Sequence, residues 1–114
     1  MKKFIVIFHA SAAAMEQMGQ MGSASPEEQQ KAMQPWVDWA DRNGSALLDQ
    51  GSPIMGGLKL SKSGSTPSNQ SVAGYSIVQA EDLEAAKALL QGHPHLDWAP
   101  GCEIEVYESM HGPV

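Results

Sequence analysis

His93-Pro94-His95 is the densest cluster of chemistry-bearing side chains in this chain. A proline keeps the residue before it out of the helical region. In extended backbone, residues two apart point the same way. On that reading two imidazoles share one side, and either can act as a general acid or base near neutral pH. His9, which directly follows an apolar run, is a third donor, and three histidines can hold zinc. The competing reading has one histidine beside the C-terminus of the preceding helix and another bonded to loop carbonyls. The expectation is a catalytic group of His93, His95 and His9, with no metal and no cofactor.

Glu103 and Glu105 lie in the alternating stretch CEIEVYE. Alternation puts Cys102, Ile104 and Val106 on one strand face and Glu103, Glu105 and Tyr107 on the other. If the apolar set faces helices, the carboxylates face a cleft, where a pair can serve as acid and base. The plainer role is a charged edge strand that resists aggregation. Trp36, Trp39, Trp98 and Tyr75 are candidates to line an apolar pocket, although the helical spacing of Trp36 also suits the core. The candidate ligand contacts are therefore Trp36, Tyr75, Trp98, Glu103 and Glu105, with Asp97 able to orient a histidine.

Other signals are weaker. Met15, Met18 and Met21 recur every third residue; thioethers are soft ligands that could serve copper(I), but a short helical turn or flap that packs its methionines on the domain gives the same spacing. Gly56-Gly57 and the serines of residues 63–65 hint at phosphate binding, yet the P-loop and GxGxxG patterns are absent. Cys102 is the only cysteine, so no internal disulfide forms and a cytoplasmic location is expected.

The elements that position these residues follow from periodicity. Residues 4–8 are a continuous β-forming apolar run, which marks a strand covered on both faces. Lys2-Lys3 ahead of it imitates a secretory signal, but five apolar residues fall short of the roughly 7–15 such a signal needs. Residues 9–25 read as loop. Ser25, Pro26 and Glu28 mark a helix start, Met33, Trp36, Val37 and Ala40 its buried face, Pro35 a kink and Gly44 its stop. A short strand at 46–49 precedes a Gly-, Ser- and Pro-rich segment, 51–71, with room for a small ribbon at 58–62. Residues 72–79 form the third strand, where Gly74 marks a close backbone approach. A second helix carries Leu83, Ala86, Leu89 and Leu90 on its apolar stripe and ends near Gly92 and Pro94, ahead of an irregular loop and the last strand.

The order β-α-β-β-α-β is the ferredoxin-like plan. It predicts one α+β domain over residues 1–114, an antiparallel sheet in the order 4-1-3-2 and two helices on one face. The first and third strands are apolar on the opposite face too, so a homodimer is expected to cover it. Three loops then gather at one end of the sheet and bring His9 near His93 and His95. A net charge of −6, with only seven Lys and Arg, argues against a nucleic-acid partner, and no apolar run approaches the ~20 residues of a membrane helix.

Four stretches carry a family resemblance: KKFIVIF, PWVDWADRN running into GSALLDQGSPI, VAGYSIVQAEDLEAAKALLQGHPHL, and CEIEVYES. Together they resemble the YCII-related, or DGPF-domain, family. The resemblance implies a dimeric α+β barrel, and its kinship with muconolactone isomerases and small monooxygenases implies cyclic or aromatic substrates. The family's suspected pair is a histidine on the first helix and an aspartate before a proline after the second. Here Trp36 and His93 stand at those places, and the DGPF tetrad is absent from residues 51–71. The resulting expectation is a small enzyme that binds a partly apolar molecule and uses a histidine as acid or base. The alternative is a non-catalytic binding or regulatory module on the same dimer.

Overall fold

The computed structural model describes residues 1–14, 16, 25–54, 56–68 and 71–110, apart from the side chain of Trp98. The methionine triplet at 15, 18 and 21 lies outside the described residues, as does the Trp98 pocket assignment.

Strand β1, Lys2–His9, pairs with β5, Val72–Ala80, on one side and with β6, Glu103–Glu108, on the other, both antiparallel. The short strand β2, Leu47–Asp49, closes the far edge, which gives a four-stranded antiparallel sheet in the order β2-β5-β1-β6. The chain is thus α+β, with the continuous apolar strand at the centre of its sheet. Strands β3, Leu58–Ser61, and β4, Gly64–Pro67, form a separate two-stranded ribbon. The sequence allowed a ribbon in this segment, and the structure extends it across a turn at residues 62–63.

Helix α1, Pro26–Asn43, begins where the capping residues place it: the Ser25 side chain accepts from the Glu28 N–H at 3.2 Å. It continues as helix through Pro35. Its buried stripe departs from the expected one. Trp39 is fully buried and Trp36 and Ala40 are partly so, whereas Met33 and Val37 are exposed. Only the C-terminal half of the helix reaches the sheet, so the stripe is set by where Trp39 lands. Its indole N–H donates to the Leu89 carbonyl at 3.0 Å. Helix α2, Leu83–Leu90, is capped by Asp82 and buries Ala86 and Leu90. Leu83, in the first turn, stays exposed.

Phe4, Val6 and Phe8 of β1 and Val78 and Ala80 of β5 meet Trp39, Ala86 and Leu90 in one core, so both long helices pack on the same sheet face. Phe4, Val6 and Val78 are fully buried, each worth roughly 1.5–3 kcal/mol of transfer free energy. The other face carries Ile5, Ile7, Tyr75 and Ile77, all half-buried; Ile5 pairs with Ile77 and Ile7 with Tyr75 across the strands. Gly74 does what its position implied. A Cβ there would sit 3.3 Å from the Ser52 carbonyl oxygen, because the segment at Pro53 bridges to it.

Residues after Gly92 correct the loop expectation. Pro94–Trp98 is a short helix, α3, with Pro94 in its first turn and His93 as its N-cap. Proline excludes the helical region for the residue before it, yet its own fixed φ suits a helix start. His93 is therefore extended while His95 is helical, so the two do not lie in one extended stretch, although both rings reach Phe8 and Trp36. No helix among the described residues is long and apolar enough to cross a membrane.

Candidate functional site

His9 ends the central strand. The β1–β5 register slips between Phe8 and His9, so His9 pairs with Val72 and one β5 residue is left over. The extra residue, Ala73, is on β5, so it is β5 that bends there. Directly beyond it the Ala10 N–H donates to the Ser71 carbonyl at 2.7 Å, which fixes Ser71 beside the strand end. The Ser71 hydroxyl lies 2.8 Å from His9 Nδ1. On the other side, Glu105 is the register partner of Ile7, diagonal to His9 on the same face. Its Oε1 bonds His9 Nε2, and its Oε2 accepts from the Tyr107 hydroxyl at 2.6 Å.

The result is a relay of four side chains in the order Ser71, His9, Glu105, Tyr107. A carboxylate only accepts, so in the neutral ring the proton sits on Nε2 and the Nδ1 lone pair faces the Ser71 hydroxyl. The Tyr107 hydroxyl, followed by His9, holds the Glu105 carboxyl below the usual carboxylate range. In return, the hydrogen bond to Glu105 and that group's negative charge raise the Tyr107 phenol above its ordinary value.

The relay borders an open cleft of about 450 Å³, lined by His9, Ser11, Ser71, Gly101, Glu103 and Glu105 among others. Its wall needs glycine at 101. The backbone there has φ +84°, and a Cβ would stand 3.2 Å from the Ser11 Cβ.

The three expected histidines separate into two roles. His9 is on the cleft, whereas His93 and His95 are 0% and 1% exposed. His93 packs among Phe8, Trp36 and Trp39, with ring centroids 5.0, 4.7 and 4.4 Å away. Its Nδ1 accepts from the His95 backbone N–H at 3.0 Å, so its proton sits on Nε2. Nε2 has no conventional hydrogen-bond partner among the described residues and lies within the aromatic cage, where an N–H can meet a π face. Burial, then the nearby His95, pushes the His93 pKa down to about 4. Burial also lowers His95, although bonds to the His9 and Glu103 backbones oppose the shift. His95 Nε2 donates to the His9 carbonyl at 2.7 Å, so it braces the backbone that carries the cleft histidine.

His93 and His95 are buried while His9 lines the cleft, so the three imidazoles do not share one open site. No group of three or more His, Cys, Asp or Glu among the described residues could hold a metal ion. Of the other candidates, Glu103 and Glu105 line the cleft. Trp36 belongs to the cage around His93, and Tyr75 lies on the open sheet face, its hydroxyl 3.5 Å from Asp49 Oδ2. Cys102 is buried against Ala10, Ala14, Ala73 and Ala99. Sequence reasoning did not find Ser71 or assign a role to Tyr107. The only available signal for Tyr107 was its i+2 spacing from Glu105, and Ser71 is one serine in a polar run.

Compared with family models, curated proteins and solved structures, the chain has no match in any of the three.

Proposed function

We propose that this chain is a ferredoxin-like domain of the YCII-related kind, working as a dimeric α+β barrel, and that its cleft binds a small, partly apolar molecule on which His9 moves a proton. The observation that carries this reading is the His9 clamp: an imidazole at the rim of a cleft, oriented through one nitrogen by a carboxylate and facing a hydroxyl with the other. A base oriented by a third group is the recurring arrangement of acid–base and nucleophilic sites. The β-α-β-β-α-β order of the main elements and the shared helix face support the fold assignment. The buried single cysteine suits a reducing, cytoplasmic setting.

The dimer rests on the open patch of Ile5, Ile7, Tyr75 and Ile77, next to the relay on the same strand face. A second copy packed on it would shield the patch and wall the cleft. Sedimentation equilibrium should give twice the chain mass, and Ile7→Lys should return a folded monomer; a monomeric wild type at micromolar concentration contradicts the dimer.

One observation favours a second reading, a binding module without turnover. Both His9 nitrogens are already engaged, so the ring meets a ligand only through Ser71 or by exchanging Glu105. Titrating the protein with small lactones, esters and phenols, followed by amide and imidazole NMR, tests both. The expected result is saturable shifts at His9, Ser11, Ser71 and Gly101 that His9→Ala abolishes. Binding without turnover leaves the module; no shift with any compound overturns the cleft as a site.

A further inference from the structure

We infer that Ser71 is a nucleophile activated by His9, and that the cleft takes uncharged or cationic carboxylic esters. The inference builds on the acid–base reading of His9 and goes beyond it by naming the group that gives up the proton. Three features carry it. The Ser71 Oγ to His9 Nδ1 separation of 2.8 Å is within the hydrogen-bond reach that a serine–histidine pair needs. The Nε2 proton is directed at a carboxylate, so it is the Nδ1 lone pair that faces the hydroxyl. Glu105 is itself pinned by Tyr107, so the imidazolium formed on proton transfer meets a fixed negative charge. This is the logic of the serine–histidine–acid triad, with the two ring nitrogens exchanging roles.

The step balances without an outside oxidant or reductant. The Ser71 oxygen forms a bond to the ester carbonyl carbon as its proton passes to His9 Nδ1 and the carbonyl π pair moves onto oxygen. The tetrahedral adduct collapses and the C–O bond to the leaving group breaks. His9 returns the proton to the departing alcohol. Water then attacks the acyl-Ser71 carbonyl, again giving its proton to His9, and the acid is released with the serine regenerated.

Substrate charge follows from the lining. Glu103 and Glu105 border the cleft, and in an acidic chain they repel an anionic acyl group or leaving group. Glu105 and Tyr107 are positioning residues, since they act through His9.

The test uses the whole protein and p-nitrophenyl acetate, an uncharged ester. Expected are a burst of nitrophenolate close to one equivalent per chain and a single acetyl group mapped by peptide mass spectrometry to Ser71. Ser71→Ala should lose both. His9→Ala should slow acylation about 100-fold, the lower end for an acid–base group. Glu105→Gln should slow it with an unchanged melting temperature and also alter the His9 imidazole ¹⁵N shifts, which a purely structural role would not do. Ser71→Cys provides a check independent of esters: a thiol beside His9 should be alkylated by iodoacetamide much faster than in the Ser71→Cys, His9→Ala double variant. Acetylation only of His9 or of lysines, or labelling of Ser71 that proceeds equally well without His9, overturns the nucleophile. If ligands still shift the cleft resonances in that case, the cleft stands as a binding site and turnover decides between the acid–base and module readings, while this inference falls. If no ligand shifts them, both fall.

Discussion

His93→Ala should lower the unfolding free energy by about 3 kcal/mol, read from urea denaturation at pH 7.5. The imidazole is fully buried between Phe8, Trp36 and Trp39. Removing a ring of that size from a packed cage leaves a cavity that the large aromatic neighbours cannot fill, at a cost of about 2–4 kcal/mol. The same substitution removes the N-cap acceptor of α3 and leaves the His95 N–H without its partner, about 1 kcal/mol more. Loss of a buried polar nitrogen with no conventional partner offsets part of this. His93→Asn separates the contributions. Its side-chain oxygen can still cap, so it should recover about 1 kcal/mol of the loss. Equal stability of the alanine variant and wild type would show that the cage does not hold the fold.

Acid should destabilise the protein in a defined window. The His93 pKa is depressed to about 4 by burial and by His95, against an unfolded value of 6.5. As pH falls below 6.5 the unfolded chain takes up this proton and the folded one does not. The stabilisation is complete above pH 6.5 and is lost progressively down to about 4, where both states are protonated. The size of the shift makes the loss about 3 kcal/mol. Burial also lowers His95, which adds loss of the same sign. The lowered carboxyl of Glu105 contributes in the same direction, but below its ordinary value of 4.5. His93→Phe keeps an aromatic ring in the cage without a titrating nitrogen and should show a much shallower decline between pH 6.5 and 4. A flat wild-type curve across that interval contradicts the buried neutral histidine.

What the sequence showed and hid can be traced to particular residues. The central strand was legible because residues 4–8 are apolar without interruption, and the start of α1 because Ser25 and Pro26 satisfy the helix terminus locally. Gly74 was legible because a missing side chain marks a close backbone approach. His93 and His95 were not, because Pro94 both restricts the residue before it and starts a helix, and only the second effect shows where His95 goes. Their burial depends on the partners the tertiary fold supplies, Phe8, Trp36 and Trp39, which lie far away in sequence. His9 was legible as a candidate from its place at the end of the apolar strand, and Glu105 from strand alternation. Their joining to Ser71 depends on the register slip after Phe8, which no local pattern encodes.

The proton on the His9 ring decides whether the relay has the polarity on which the cleft chemistry depends. Long-range ¹H–¹⁵N correlation spectra, recorded at a pH where His9 is neutral, assign that proton directly. The expected result is a protonated Nε2 facing Glu105 and a bare Nδ1 facing Ser71, with the preference weakened in Glu105→Gln. A ring that carries its proton on Nδ1 would leave Ser71 without a base and contradict the account.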